Sequence, residues 1–211
     1  MKLIVGKSGG LSGTVPAPPS KSHTHRAVLI AGLADGESEI RNPNLCDDCL
    51  ATLEACKKFG AKQAESEVLS ISGVDGNPKR PDVEIDVGGS GTTMRLMTAV
   101  FALCEGATTL TGNDSVRSRP IAPLLGSLTD LGAKRAKSLN RDGCPPVCVG
   151  GRMAGGKTAI DGQSSQFLSA LLLACPLADN DSIIEARDIN SRPYVGMTLR
   201  HLERAGVKVW T

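Results

Sequence analysis

The chain repeats one pattern three times, and this repeat restricts the folds that it can adopt. Each copy opens with a small or hydroxyl-rich cluster, continues as an apolar segment typical of a helix, and closes with a turn containing Gly, Asn or Asp. The three copies span residues 20–36, 89–106 and 163–180. Ser20, Ser90 and Ser164 mark their openings, so successive copies are offset by 70 and 74 residues.

The repeat continues beyond the opening helix in a constant order. A short strand-like piece follows each turn, at residues 37–42, 107–112 and 181–186. A second helix with apolar residues at helical spacing comes next, at residues 47–59, 121–131 and 194–205. Each second helix ends at a glycine suited to a C-cap, namely Gly60, Gly132 and Gly206. Alternating apolar residues then predict further strands at residues 83–87 and 147–149. Three units of helix, strand, helix, strand, strand predict an α/β fold with quasi-threefold symmetry.

The third copy is shorter than the first two. From Gly60 to the next opening at Gly89 there are 29 residues, whereas only five residues follow Gly206. We therefore expect the natural protein to continue beyond Thr211. The alternative is a degenerate terminal repeat, which repeat proteins often carry.

The first opening combines a helix cap with two cations. Ser20 or Ser22 can cap the predicted helix. Lys21 then lies at the positive end of the helix dipole, where a cation is unfavourable unless an anion is also present. Arg26 lies about one and a half turns further on and can lean toward the same end. A lysine with an arginine suits phosphate or carboxylate, although a solvated basic helix start is the alternative.

The other openings carry glycine, hydroxyl and amide groups. Residues 88–93 are rich in glycine, so backbone N–H groups can approach an anion closely, but they lack the ending of a Walker A loop and can equally be a plain turn. Residues 164–166 offer hydroxyls and an amide, which suit a polyhydroxylated ligand or a phosphate. Arg119 and Arg192 each occur in a Ser-Arg-Pro triplet before a helix, where the alternative is a helix-entry motif with a solvent-facing arginine.

Composition and charge exclude several classes of function. The net charge is only +2, and Phe, Tyr and Trp number 3, 1 and 1, so nucleic acid is not an expected partner. No apolar run reaches the ~20 residues that span a bilayer. Seven cysteines, without a signal-peptide pattern, favour a reducing cytosol. Cys46 and Cys49 have metal-like spacing but no second pair, so no metal is expected.

Acid–base groups are scarce in this pattern. All three openings lack acidic residues, so no general base is nominated. His23 and His25 are predicted to face different sides of the first helix, and His201 is predicted on the surface of the last.

Together these motifs resemble the 5-enolpyruvylshikimate-3-phosphate synthase family, the 3-phosphoshikimate 1-carboxyvinyltransferases. The motifs are collinear over essentially the whole chain: Pro19-Ser20-Lys21-Ser22 with Arg26, Gly89-Ser90-Gly91-Thr92 with Arg95, Arg119-Pro120-Ile121, Ser164-Ser165-Gln166, and Ser191-Arg192-Pro193-Tyr194. The resemblance implies an enolpyruvyl-transferase-type domain of three βαβαββ-like units, which is half of a two-domain inside-out α/β barrel. Residues 1–18 would belong to the second domain. Residues 19–211 would form the N-terminal domain, with units at about 19–88, 89–162 and a truncated 163–211.

The resemblance also implies a reaction and a set of site residues. The enolpyruvyl group of phosphoenolpyruvate would pass to the 5-hydroxyl of shikimate 3-phosphate through a tetrahedral intermediate, with release of phosphate and without a cofactor. Shikimate 3-phosphate would be bound by Lys21, Ser22, Arg26, Ser164, Ser165, Gln166, Ser191 and Tyr194. Phosphoenolpyruvate would be bound by Lys21, Gly91, Thr92, Arg119 and Gln166. Lys21, which would touch both substrates, is the catalytic candidate.

The chain departs from the family pattern in two places. Gly89 replaces the usual Asn of Gly-Asn-x-Gly-Thr at the phosphoenolpyruvate and glyphosate pocket, and Leu96 replaces a common Pro. The family's acidic catalytic residues, a further lysine and two arginines come from the second half. We therefore expect this chain to be a folded, monomeric, cytoplasmic half that is inactive without its second domain.

Two alternatives stay open. One is a domain related to the enolpyruvyl transferase that acts on UDP-N-acetylglucosamine, although the reactive cysteine of that enzyme is absent from residues 113–118. The other is a stand-alone anion-binding domain.

Overall fold

The computed structural model describes residues 2–64, 68–140, 142–161 and 164–210, and these form a mixed α/β fold. The helices are α1 (Lys21–Leu33), α2 (Asp47–Lys58), α3 (Gly91–Phe101), α4 (Asp114–Arg117), α5 (Ala122–Asp130), α6 (Ser165–Ala174) and α7 (Arg192–Arg204). The strands are β1 (Glu37–Ile40), β2 (Lys62–Ala64), β3 (Leu69–Ser72), β4 (Ile85–Asp86), β5 (Ala107–Thr111), β6 (Arg135–Ser138), β7 (Val147–Gly150), β8 (Gly156–Asp161) and β9 (Ser182–Arg187).

The strands of the described chain form three small sheets. The first has the order β1-β3-β2 and is antiparallel. The second has the order β4-β5-β7-β6, with β4 parallel to β5 and the other pairs antiparallel. The third pairs β8 with β9 in parallel. Burial alternates along strands such as β8 and β9, so these strands keep one face toward solvent.

The helices that open the three copies lie in the interior. Every residue of α3 is buried except Thr92 and Arg95, both in its first two turns. Helix α3 packs against α6 and α2, and α1 packs against α2 and α7. Phe59 and Phe101 meet edge to face within the aliphatic core, with ring centroids 6.4 Å apart. In their first turns these helices carry side chains that are not fully buried, namely Lys21, Thr92 and Gln166.

The predicted second helices are present as α2, α5 and α7, with ends within two residues of the expected ones. Their predicted capping glycines have left-handed backbones, with φ of +115° at Gly60, +88° at Gly132 and +80° at Gly206. A glycine is required there because the left-handed region strains other residues.

The predictions failed locally at two points. The expected strand at residues 83–87 is reduced to β4, because β4 pairs with β5 only at Ile85 and Asp86 while Val83 is exposed. Cys104, which falls in the helix-like apolar segment of the second copy at residues 89–106, lies beyond the end of α3 in a turn, where its buried thiol donates to the carbonyl oxygen of Pro78 at 3.1 Å. The third opening was expected to begin at Gln163, which lies outside the described residues, as does the boundary between the second and third units.

The segment before α1 has no regular secondary structure over residues 2–20. Five of its apolar side chains are 75–97% exposed: Leu3, Ile4, Val5, Leu11 and Val15. Among the described residues, no helix combines the length and apolarity needed to cross a membrane.

Candidate functional site

The first opening places a cation at the N-terminus of α1, and an anion accompanies it. The Ser20 side chain caps the helix by accepting from the backbone N–H of His23 at 3.4 Å. The Nζ of Lys21 lies 2.7 Å from Oδ2 of Asp48, in the first turn of α2. The hydrogen bond that Lys21 donates to Asp48 raises the pKa of Lys21 above its ordinary value. Asp48 therefore offsets the unfavourable position of a cation at a helix N-terminus.

Asp48 is the site residue that sequence reasoning missed. Asp47 and Asp48 open α2, where acidic residues suit the positive end of that helix's own dipole, and the three openings themselves lack acids. The packing of α1 against α2 brings Asp48 across 27 positions of sequence to Lys21. The sequence carried only an indirect signal of this pairing, because a lysine at a helix N-terminus favours a nearby anion without indicating which residue supplies it.

The second cation of the first opening is buried rather than solvated. Arg26 is only 4% exposed, and its Nη1 donates to the carbonyl oxygen of Ser22 at 2.9 Å, so it leans toward the helix start as predicted. Its Nε donates to Oγ1 of Thr198 at 2.7 Å. Its Nη2 donates to Oγ of Ser169 at 3.1 Å and to the carbonyl oxygen of Tyr194 at 3.3 Å. Burial lowers the pKa of Arg26. Arg26 thus joins the first opening to α6 and α7.

The second opening brings two arginines over a glycine. Ser90 caps α3 by accepting from the backbone N–H of Thr93 at 3.2 Å. A Cβ atom at Gly91 would lie 2.8 Å from Nη1 of Arg119 and 2.9 Å from Nη1 of Arg95. The absence of a side chain at Gly91 is therefore what lets both guanidinium groups approach the backbone.

Arg95 and Arg119 are both cations, and neither forms an ion pair with an acidic side chain among the described residues. Arg95 donates to the carbonyl oxygen of Gly91 at 2.9 Å and stacks over Phe167 at 5.5 Å from the ring centroid. Its buried Nε has no hydrogen-bond partner in the part of the chain that the structure describes. Burial and the nearby Arg119 lower the pKa of Arg95. Arg119 is exposed and donates to Oγ of Ser115 at 2.8 Å. This arrangement can receive an anion beside Gly91.

The third opening meets the second one. Nε2 of Gln166 donates to Oγ1 of Thr92 at 3.1 Å. Ser164 is the N-cap residue of α6 and Ser191 that of α7, and neither side chain makes a capping bond within the described residues. Ser191 has a left-handed backbone at φ 58°, and Tyr194 beside it is 46% exposed. The starts of α6 and α7 therefore keep polar groups available to a ligand.

Buried hydroxyls tie these openings together. Oγ1 of Thr93 donates to the carbonyl oxygen of Asp48 at 3.1 Å and contacts Oγ1 of Thr52 at 2.7 Å. Nδ1 of His25 lies 2.7 Å from the same Thr52 oxygen. Together with the Lys21–Asp48 pair and the bonds Gln166–Thr92 and Arg26–Tyr194, these bonds link the starts of α1, α2, α3, α6 and α7. The sequence-predicted residues lie at or beside these starts: Lys21, Ser22, Arg26, Gly91, Thr92, Arg119, Ser164, Ser165, Gln166, Ser191 and Tyr194.

The histidines behave differently from one another. His25 is fully buried, its Nε2 has no hydrogen-bond partner among the described residues, and burial lowers its pKa to about 4. His23 is exposed on another face of α1, as predicted. Its Nδ1 lies 2.9 Å from Nε2 of His201. The expectation that His201 lies on the helix surface was wrong, because the packing of α7 on α1 half-buries it and lowers its pKa to about 4.

Comparison with known proteins identifies the family of the chain. The profile of the family described as EPSP synthase (3-phosphoshikimate 1-carboxyvinyltransferase) matches residues 5–211. A 3-phosphoshikimate 1-carboxyvinyltransferase of Methanothermobacter thermautotrophicus is 49% identical over 210 residues, which cover 99% of this chain and 50% of that protein. The corresponding protein of Acetivibrio thermocellus is 43% identical over 209 residues, covering 99% and 49%.

A solved structure supports the fold. The EPSP synthase of Acinetobacter baumannii superposes with a TM-score of 0.82 at 27% identity, covering 94% of this chain and 45% of that one. The chain spans about half the length of the curated relatives it matches.

Proposed function

Because the chain belongs to the EPSP synthase (3-phosphoshikimate 1-carboxyvinyltransferase) family, we propose that it forms the substrate-binding half of an enzyme that transfers enolpyruvyl from phosphoenolpyruvate to the 5-hydroxyl of shikimate 3-phosphate. The observation that carries the proposal is the convergence of three helix openings on one cluster of Lys21, Gly91, Arg119 and Gln166. Each of these groups can recognise an anion or a hydroxyl, and the substrates are phosphorylated acids with hydroxyl groups.

Shikimate 3-phosphate is assigned to the ends of α1, α6 and α7. Ser164 and Ser165 are half-buried at the start of α6, and Ser191 starts α7, so their hydroxyls and nearby backbone N–H groups suit a phosphate. Tyr194 supplies an exposed ring and hydroxyl at the edge of this region. Ser22 and Arg26 complete the set, with Arg26 holding α7 in place through Thr198 and the backbone of Tyr194.

Phosphoenolpyruvate is assigned to the start of α3. Gly91 leaves room for the guanidinium group of Arg119, and the backbone N–H groups of the first turn add to its positive potential. Thr92 and Gln166, joined by a hydrogen bond of 3.1 Å, form the boundary with the other substrate. Gly89 lacks the side-chain amide of the usual asparagine. The side-chain amide nitrogen of Asn113, Nδ2, lies 3.2 Å from the position that a Cβ at Gly89 would take.

Lys21 is assigned to both substrates and to the chemistry. Its ammonium group is half-exposed and charged at neutral pH, since its pKa is raised by Asp48. It can stabilise negative charge that develops on the reacting groups, and Asp48 limits the directions in which it points. Addition and elimination also require an acid and a base. We assign these to the half of the family's proteins that this chain does not match.

The finer architecture is also a proposal. The order α1, β1, α2, β2, β3 and its counterparts from α3 and α6 onward support three units with quasi-threefold symmetry, forming half of a two-domain inside-out barrel. The exposed apolar side chains of the segment before α1 support its assignment to a second domain. We place the protein in the cytoplasm, because its seven cysteines are free thiols. We also propose that it is a monomer.

Calorimetric titration of the chain with shikimate 3-phosphate tests the proposal. We expect saturable binding that weakens about tenfold or more in Lys21→Ala, because a charge-assisted hydrogen bond contributes roughly 1.5–3 kcal/mol. Lys62→Ala is the matched control, since Lys62 is an exposed lysine of β2 remote from the openings. A preference for UDP-N-acetylglucosamine, or no binding of either ligand, would contradict the proposal.

A further inference from the structure

Two thiols lie together at the start of α2. Cys46 is the N-cap residue of the helix, and Cys49 is its third residue. The backbone N–H of Cys49 donates to the carbonyl oxygen of Cys46 at 2.9 Å, so the two residues close one tight turn. Side chains at the cap and third positions of a helix face each other, as they do in capping boxes. Residues three positions apart on a helix are neighbours, with Cβ atoms about 5–6 Å apart, so a small rearrangement of the turn brings them to the roughly 3.5–4.5 Å that a disulfide requires.

The backbone hydrogen bond between the two residues places their side chains at the same end of α2. Burial raises the pKa of Cys49 to about 12, and the neighbouring Cys46 adds to this rise. The Cys46 side chain makes no capping bond to the helix, so nothing holds it away from its neighbour.

The two thiols also differ in access. Cys46 is exposed, whereas Cys49 is 1% exposed. Each of the other five cysteines is buried or half-buried: Cys56, Cys104, Cys144, Cys148 and Cys175. An exposed thiol at a helix N-terminus with a buried partner is the arrangement of a dithiol that reacts first at the outer sulfur. No third metal-ligating side chain joins the pair among the described residues.

We propose that Cys46 and Cys49 form a reversible dithiol–disulfide site beside Lys21, oxidised by low-molecular-weight disulfides such as glutathione disulfide. The Cys46 thiolate attacks one sulfur of the external disulfide, which forms a mixed disulfide and releases one thiolate. The Cys49 sulfur, after losing its proton, then attacks the sulfur of Cys46 and releases the second thiolate. Two protein thiols are oxidised, one external disulfide is reduced to two thiols, and no other reactant is needed.

Oxidation reaches the binding site through two contacts. The Cys49 thiol donates to the carbonyl oxygen of Lys21 at 3.6 Å, and a disulfide removes this donor. Asp48, which pairs with Lys21, lies between the two cysteines in the same turn. The disulfide therefore changes both the backbone support and the anionic partner of Lys21. This consequence rests on the proposed function, whereas the disulfide itself does not.

Mass spectrometry of the chain treated with glutathione disulfide tests the site. We expect loss of two hydrogen atoms, a Cys46–Cys49 linkage in the peptide map, and full reversal by dithiothreitol. In Cys49→Ser we expect a glutathione adduct that persists at Cys46, and in Cys46→Ser no linked peptide. Cys148→Ser, which alters a half-buried thiol of β7, should behave like the parent. A stable adduct at Cys46 in the parent chain, or a linkage between other cysteines, would overturn the proposal.

Titration of the reduced and oxidised Cys148→Ser chain with shikimate 3-phosphate tests the coupling. We expect affinity about threefold or more lower in the oxidised form, with recovery on reduction. Equal affinities would overturn the coupling to Lys21. Absence of binding in the reduced form would contradict the proposed function, while the peptide map would still decide whether the disulfide forms.

Discussion

At the scale of single residues, the candidate site depends on small or polar residues in positions that larger ones cannot occupy. Gly91 is buried at the first position of α3 with two guanidinium groups against it. Asp48 compensates Lys21, and His25 is kept neutral in the packed layer beneath them. These residues determine charge and access within a few ångströms, and their substitution is expected to act locally.

Gly91→Ala is expected to weaken phosphoenolpyruvate binding without unfolding the chain. The added methyl group would meet only the ends of Arg95 and Arg119, which can move, and alanine is the better helix former, so stability should change by less than about 1 kcal/mol. Displacement of Arg119 should lower the affinity for phosphoenolpyruvate about tenfold. The measurement is the change in backbone amide NMR chemical shifts as phosphoenolpyruvate is added. Gly126→Ala in α5 is the matched control, since its Cβ would meet open space. Unchanged affinity in Gly91→Ala would contradict the assignment.

His25 is expected to make the fold sensitive to acid. Its pKa is lowered from 6.5 to about 4, so the unfolded chain binds a proton more readily between these values. The stability that neutral His25 provides is present above pH 6.5 and is lost as pH falls toward 4. Protonation of His25 alone should lower the free energy of unfolding by about 2 kcal/mol between pH 7 and pH 5.

Urea unfolding of the parent and of His25→Asn at both pH values measures this contribution. The asparagine keeps a partner for Oγ1 of Thr52 but does not titrate. We expect the pH-dependent loss to be smaller in the variant. The same loss in both proteins would show that His25 is not its source.

At the scale of elements, helices rather than sheets make the long-range connections of the site. Arg26 on α1 bonds to Ser169 on α6 and Thr198 on α7, and Thr93 on α3 bonds to the start of α2. The helix bounds and caps followed from local pattern, because spacing, cap residues and glycines act within a few positions. The pairing of helices did not, because it depends on shape and burial across distant segments.

Thr198→Val is expected to weaken the junction of α1 and α7. Valine has nearly the same shape, but it removes the acceptor of the buried Arg26 Nε and the hydrogen bond between Thr198 and Ser169. Loss of an acceptor for a buried charged donor should cost about 2–3 kcal/mol in urea unfolding. Thr129→Val in α5 is the control, since in the described part of the chain its hydroxyl donates to the carbonyl oxygen of Leu125 and makes no bond to Arg26. Equal effects of the two substitutions would contradict the role of Arg26.

At the scale of the whole molecule, the cluster of helix openings is open on one side. Lys21, Arg119 and Tyr194 are all exposed, and the segment before α1 presents apolar side chains to solvent. Catalysis by enolpyruvyl transfer requires exclusion of water and alignment of two substrates. Under the proposed function, this open cluster can bind a substrate, but it does not exclude water from the reacting groups.

Fusion to the second half of the Methanothermobacter relative is expected to create turnover. That relative is 49% identical to the chain over the matched half, so its second half should find compatible contacts. We expect phosphate release by the chimera to exceed that of the chain alone by about a thousandfold or more. The Lys21→Ala chimera should lose most of this activity, which excludes a contaminating enzyme. Comparable turnover by the chain alone would contradict the proposed division of labour.

The sequence by itself determined the α/β class, the second helices with their capping glycines, and the polar residues that open α1, α3 and α6. It could do so because caps, turns and apolar periodicity are local properties of the chain. Only the tertiary structure decided that Asp48 meets Lys21, that Arg26 is buried against Thr198, and that the thiol of Cys49 reaches the carbonyl oxygen of Lys21. These contacts arise where helices pack, and packing selects partners by shape, burial and charge rather than by sequence distance.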